Sequence, residues 1–325
     1  MKANIKNKYY QEVIKELKNK ITVKPVKFKN RTWLMAGNVY KPKNANGKLT
    51  AIVIGHPSGG VKEQTAGVYG AMLAECGFLT LTFDASYQGE SGGEPRYLED
   101  PQMRVEDVRC AVDYLTTRED VNIDKIGAMG MCASGGYVVN AAQTDLRIKA
   151  IATVSMADLG DMFRNGLGRT KEYKEQLKQT LEQIAVQRTK EANSEETYYS
   201  WYVPPTEELA KGLAHDYWEG YEYYRVSPAK HPNSVNKMVF SKTDSIINFT
   251  ALSHVEMCSP RPMLFIAGSN AGTKYFSVES HAKVPETSEL YIIDGATHIE
   301  LYYKEPYVTM GVNKLNEFFS DKLGV

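Results

Sequence analysis

Residues 125–142 read KIGAMGMCASGGYVVNAA, and the rest of the chain is organised around them. The apolar run through Ile126, Ala128 and Met129 is too short for a helix and too apolar for a loop, so it predicts a buried strand. Gly130 permits a tight bend, and Ser134, Gly135 and Gly136 let a following helix pack close against that strand. One side chain is left at the tip of the bend, that of Cys132.

A strand, a sharp turn and a helix, with small residues two positions either side of the tip, form a nucleophile elbow. Here the nucleophile position holds Cys132, and the second small position holds Ser134. Ser134 is itself a possible nucleophile, because Cys132 and Gly136 would then be its small flanks. The strand length favours Cys132: a strand over residues 126–131 puts the turn there. The plainer alternative is a small buried cysteine in a tight turn, since free cysteines are often buried and inert.

The chain has 325 residues, a mass of 36.4 kDa and a formal net charge of zero. That length suits one large domain carrying an insertion, or two domains. The neutral balance gives no electrostatic case for nucleic acid or an anionic membrane as a partner. No stretch has the apolar length of a membrane span, and the basic, amphipathic N-terminus lacks an apolar signal core. The four cysteines, Cys76, Cys110, Cys132 and Cys258, have neither metal-ligand spacing nor a disulfide pattern. They predict reduced thiols in a cytoplasmic protein, with no metal and no cofactor.

In chain order, a helix is expected over residues 10–19, then an antiparallel hairpin over 22–28 and 32–40. Buried strands are expected at 50–55, 78–83, 149–155, 261–268 and 290–293. Helices are expected at 65–75, 101–117, 277–283 and 307–323. A Gly-rich loop, HPSGGVKEQ, follows the strand at 50–55. A second, DASYQGESGGEPR, follows the strand at 78–83, where open α/β sheets carry their sites. This alternation predicts an α/β fold: a mostly parallel central sheet with helices on both faces and an antiparallel edge. From residue 159 to 259 the pattern changes to a charged helix over 171–193 and the aromatic runs YYSWYVPP and HDYWEGYEYY. The expected organisation is therefore a core of residues 1–158 and 260–325, with 159–259 a helical cap insertion. Its aromatic residues either line an apolar substrate pocket or pack the cap to the body.

His298 sits in a small-residue loop after the last expected strand. Nucleophile early and histidine late is the chain order of the α/β-hydrolases. With GHPSGGVKEQ, the DASYQGESGGEPR loop, GMCASGGY, AGSNAGTKYFS and DGATHIELY, the chain resembles the α/β-hydrolase superfamily over nearly its whole length. The nearest types are dienelactone-hydrolase-like and YcjY-like bacterial hydrolases. The resemblance implies that Cys132 attacks a carbonyl as a thiolate and that His298 shuttles the proton. It implies an oxyanion hole from the N–H groups of Ala133 and of the Ser58-Gly59 turn.

The resemblance also implies a third, acidic member shortly after Gly268, but residues 269–272 are SNAG. Three alternatives follow: Asp158 supplies the acid from the end of another strand, Asn270 orients His298, or the site is a weakened dyad. Asp158 ranks ahead of Asn270, and Asp294 is assigned to the turn before His298. The expected activity is hydrolysis of an ester, thioester or lactone of a small to medium apolar acyl compound. The alternatives are an acyltransferase or carbon–carbon bond hydrolase on the same fold, or a non-catalytic binder. The expected partner is the small-molecule acyl substrate, and a homodimer is possible.

Overall fold

The computed structural model describes residues 7–325, apart from the side chains of residues 172 and 174. Helix α1 (Lys8–Leu17) leads into the hairpin β1 (Ile21–Asn30) and β2 (Trp33–Pro42). The alternating core then runs β3 (Leu49–Gly55), α2 (Thr65–Glu75), β4 (Leu79–Phe83), α3 (Pro101–Thr116), β5 (Val121–Met131), α4 (Ala133–Thr144) and β6 (Ile148–Val154). Next come α5 (Leu159–Asn165), α6 (Glu172–Ala192), a two-residue ribbon of β7 (Tyr199–Ser200) with β8 (Met238–Val239), α7 (Glu207–Lys211), α8 (His215–Tyr221) and α9 (Thr243–Asn248). The core resumes with β9 (Met263–Gly268), α10 (Lys274–Lys283), β10 (Ser288–Ile293), α11 (Glu300–Tyr303) and α12 (Tyr307–Leu323).

Eight strands form one sheet in the order β1-β2-β4-β3-β5-β6-β9-β10. The β1–β2 and β2–β4 pairs are antiparallel and all the others are parallel. Two-residue periodicity splits the buried side chains between the two faces. Ala51, Val53, Ile126 and Ala128 join the core beneath α3 and α4. Ile52, Ile54, Met129 and Met131 join the core on the opposite face, with residues of α2 and α12. This is the α/β architecture expected from the sequence.

Local chemistry sets the element ends. Asp100 caps α3 by accepting from the Gln102 and Met103 amides, and Pro101 occupies the first turn, where its missing N–H costs nothing. Several boundaries differ from the sequence expectation; α1, for one, spans Lys8–Leu17 where 10–19 is expected. Strand β5 starts at Val121, because Asn122, Ile123 and Asp124 extend it beyond its buried half. Helix α10 starts at Lys274, a turn earlier than expected.

Candidate active site

Cys132 stands between β5 and α4 with φ 54° and ψ −124°. A non-glycine residue in that region stores roughly 1–3 kcal/mol of strain, so its surroundings must hold it. They do so through the backbone. The Cys132 N–H donates to Val154 O at 3.1 Å, and its carbonyl accepts from Gly135 N and Ala157 N, both at 2.9 Å. Close approach explains Gly130: a Cβ there would lie 1.9 Å from the Ser134 carbonyl oxygen.

Ser134 does not compete for the tip. Its buried hydroxyl donates to His56 O at 2.5 Å and accepts from Arg104 Nη2 at 2.9 Å. The same Arg104 Nη2 donates to His56 O at 2.8 Å, so serine and guanidinium together clamp the Gly-rich loop to the elbow helix. Ser134 is thus a positioning element of this loop, which corrects its candidacy as nucleophile. The loop histidine is fixed as well. His56 Nε2 accepts from Ala85 N at 3.0 Å and its Nδ1 lies 2.7 Å from Pro57 O. Burial, then the Arg104 charge, hold His56 well below the ordinary imidazole pKa, so it is neutral with the proton on Nδ1.

His298 is buried beside Cys132, in the loop between β10 and α11, with its carbonyl accepting from Ser155 Oγ at 3.0 Å. Its Nε2 lies 2.8 Å from the Tyr302 hydroxyl, one helical turn on. Its Nδ1 lies 2.6 Å from Thr273 Oγ1. Burial pushes the Cys132 thiol up, but interaction with His298 and hydrogen bonds from His298, Tyr302 and the Ala133 N–H outweigh it, and its pKa falls below the usual thiol value. Burial pushes His298 down, but the charge and hydrogen bond of Cys132, then the charges of Asp216 and Glu219, leave it raised. The two directions are those of a thiolate–imidazolium pair. The other three thiols go the opposite way: burial raises Cys76, raises Cys110 to about 12 and raises Cys258 to about 11.

The acid expectations are corrected by the geometry. Asp158 Oδ1 accepts from Asp161 N at 3.0 Å, and Oδ2 accepts from Ala251 N at 2.9 Å and Leu252 N at 3.3 Å. It caps α5 and makes no hydrogen bond to His298. Asn270 donates to Gly295 O at 3.0 Å, so it braces a turn and does not orient the imidazole. Asp294 accepts from Ser269 Oγ at 3.2 Å, within the same pair of turns. The partner of Nδ1 is therefore a hydroxyl, that of Thr273.

Ser58 borders the same cavity as Cys132, and its buried hydroxyl has no hydrogen-bond partner among the described residues. Gly59, at φ 66°, is covered by the Tyr202 ring, and its carbonyl accepts from Ser234 Oγ at 2.5 Å. Of the turn named from the sequence, Ser58 is thus the residue that borders the cavity with Cys132, while the Ala133 N–H at the start of α4 reaches the thiol.

The cavity has a volume of about 1210 Å³. Cys132, His298 and Tyr302 border it together with Met162, Phe163, Trp201 and Phe240 from the segment between β6 and β9. One face of α6 adds Gln176, Gln179 and Gln183. Among the described residues no lysine or arginine lines it, while Glu182 and Asp216 do. No group of three His, Cys, Asp or Glu among the described residues could hold a metal ion, and no helix there is long and apolar enough to cross a membrane.

Sequence reasoning missed Thr273, Tyr302, Arg104 and Asp216. Thr273 lies one position past residues 269–272, where the resemblance implies a carboxylate. Tyr302 is four residues after His298, a spacing that one helical turn brings together. Arg104 and Asp216 carried no local signal.

A strained residue between strand and helix, paired with a histidine after the last strand of a mostly parallel sheet, defines an α/β-hydrolase. Within that class the chain belongs to the X-Pro dipeptidyl-peptidase (S15) family, which it matches over residues 32–235. Protein PA2218 of Pseudomonas aeruginosa is 40% identical over 291 residues, covering 88% of this chain and 77% of the relative. YcjY of Escherichia coli K12 is 39% identical over 303 residues, covering 90% and 96%. The crystal structure of PA2218 superposes with a TM-score of 0.86 at 38% identity, over 94% of each chain. The α/β-hydrolase GrgF from Penicillium shares the fold, with a TM-score of 0.72 at 19% identity, over 94% of this chain and 100% of its own. A partial match, 31% identical over 134 residues, is to the thiohydrolase aneE of Aspergillus aculeatus; it covers 41% of this chain and 39% of aneE.

Proposed function

We propose that the protein is a cysteine hydrolase that cleaves esters or thioesters of neutral, largely apolar acyl compounds. The observation that carries this reading is the Cys132 thiol. It alone of the four is lowered, it stands beside His298, and it opens into the large apolar cavity. Cys132 as thiolate attacks the substrate carbonyl carbon. The oxyanion that forms is held by the Ala133 N–H and by the Ser58 turn. His298, as imidazolium, protonates the departing alkoxide or thiolate, leaving an acyl-thioester on Cys132. Water then attacks that thioester, giving its proton to His298. The acid departs and the thiolate–imidazolium pair is restored.

The lining supports the substrate class. Apolar walls favour an acyl chain, and the α6 glutamines offer neutral hydrogen bonds to oxygen functions along it. Glu182 and Asp216, with no facing cation among the described residues, disfavour a substrate that carries its own carboxylate. The likeness to a protein named as a thiohydrolase supports including thioesters. A free thiol nucleophile suits a reducing compartment, and we place the protein in the cytoplasm on that ground.

The test is hydrolysis of paired aryl esters and thioesters, neutral or ending in a carboxylate, with an Xaa-Pro anilide as the peptidase control. The reading requires turnover of the neutral acyl substrates that Cys132→Ala and His298→Ala each abolish. Turnover of the anilide alone, or ester turnover that survives both substitutions, would overturn it.

A further inference from the structure

Among the described residues the core supplies no carboxylate to His298, but helix α8 of the insertion brings two to its flanks. Asp216 Oδ1 accepts from Gly272 N at 3.1 Å, and Gly272 precedes Thr273, whose hydroxyl holds His298 Nδ1. The contact is close: a Cβ on Gly272 would lie 2.7 Å from Asp216 Oδ2. Asp216 also borders the cavity that holds Thr273 and His298. On the other flank, Glu219 Oε1 accepts from Thr297 Oγ1 at 2.8 Å, one residue before His298. Glu219 is buried, and its Oε2 has no hydrogen-bond partner among the described residues.

We propose that Asp216 and Glu219 are positioning residues that replace the missing acid, so that the reactive pair is complete only while α8 is docked on the loops after β9 and β10. The inference rests on the Cys132–His298 reading above. A negative charge near an imidazole favours its protonated form, whether or not it bonds directly to the ring. Here two carboxylates act from outside, and the Thr273 hydroxyl sets the ring orientation. Docking of the insertion is then coupled to formation of the ion pair, because both carboxylates leave with α8. The other groups facing this centre are Cys132, Tyr302 and, next to these, Tyr224. Glu219 in turn faces Glu300 and His215, whose Nε2 lies 3.6 Å from Glu219 Oε1.

Isosteric amides separate charge from geometry. The variants are Asp216→Asn, Glu219→Gln and the double variant. In each, the carboxamide oxygen can still accept from Gly272 N or Thr297 Oγ1, while the charge is gone. The probe is iodoacetamide, followed from pH 5 to 9 with peptide mapping to Cys132. Removing the charges favours the neutral thiol–imidazole form over the ion pair. The expected result is a neutral-pH alkylation rate that falls about threefold in each single variant and about tenfold in the double, since Asp216 is only half-buried. Asp216→Glu keeps the charge and should restore most of the rate. An unchanged pH profile in the folded double variant, with thermal melting like the parent protein, would overturn the proposal. A parent protein without fast Cys132 labelling, or labelling untouched by His298→Ala, would instead refute the underlying reading.

Discussion

Thr273 Oγ1 lies 2.6 Å from His298 Nδ1, where a hydrolase triad ordinarily places a carboxylate. A hydroxyl can accept a hydrogen bond from Nδ1–H and so fix the ring and its tautomer. It brings no charge to stabilise an imidazolium. This suits a thiol nucleophile better than an alcohol, because a thiol lies far closer to ionisation at neutral pH and asks less of its base.

Thr273→Val should therefore cost far less than loss of a triad acid. It removes one neutral hydrogen bond, worth about 1 kcal/mol, or roughly fivefold in rate. The loss should fall on kcat with KM little changed, since the hydroxyl positions His298 and the valine keeps the shape. Steady-state kinetics on a neutral aryl ester measures the split.

Cys132→Ser should be much more damaging than its small change in shape suggests. The serine hydroxyl must be deprotonated by a histidine that has no carboxylate in contact. We expect a fall of about a hundredfold or more in kcat on any ester the parent protein cleaves. Retained activity in this variant would show that His298 is a stronger base than its contacts allow.

How far the sequence reached follows the same physics. The elbow and His298 were legible because each rests on local chemistry: small residues around Cys132, and a short loop after an apolar strand. The sheet was legible because parallel strands buried on both faces read as unbroken apolar runs. The orienting group was not legible, because a triad acid is recognised by its charge and the chain places a neutral hydroxyl, Thr273, at His298 Nδ1. Asp216 was hidden for another reason. Its effect depends on how α8 packs across the core, and no local pattern around residue 216 records that packing.

Tyr302→Phe tests the second partner of His298. The hydroxyl lies 2.8 Å from Nε2, and its hydrogen bond to Cys132 helps hold the thiol pKa down. Phenylalanine preserves the ring contacts with Tyr223, whose centroid is 5.2 Å away. Losing the donor should raise the Cys132 pKa, so half-maximal alkylation moves to higher pH. Activity should drop several-fold below pH 7 and recover as pH rises, which a pH–rate profile would read directly.

Asp158→Ala separates a cap from a catalytic acid. The carboxylate accepts from three backbone amides, those of Asp161, Ala251 and Leu252, and ties α5 to the segment before β9. Replacing a capping aspartate by alanine costs typically about 1 kcal/mol, and leaving the buried Ala251 amide unpaired adds about as much again. The variant should melt a few degrees lower than the parent protein while each folded molecule keeps nearly full kcat. If Asp158 reached His298 in solution, kcat would instead collapse by orders of magnitude with the melting temperature little changed. Thermal melting and kcat measured on the same preparation therefore distinguish the two roles, because each role predicts a large change in the quantity that the other leaves almost untouched.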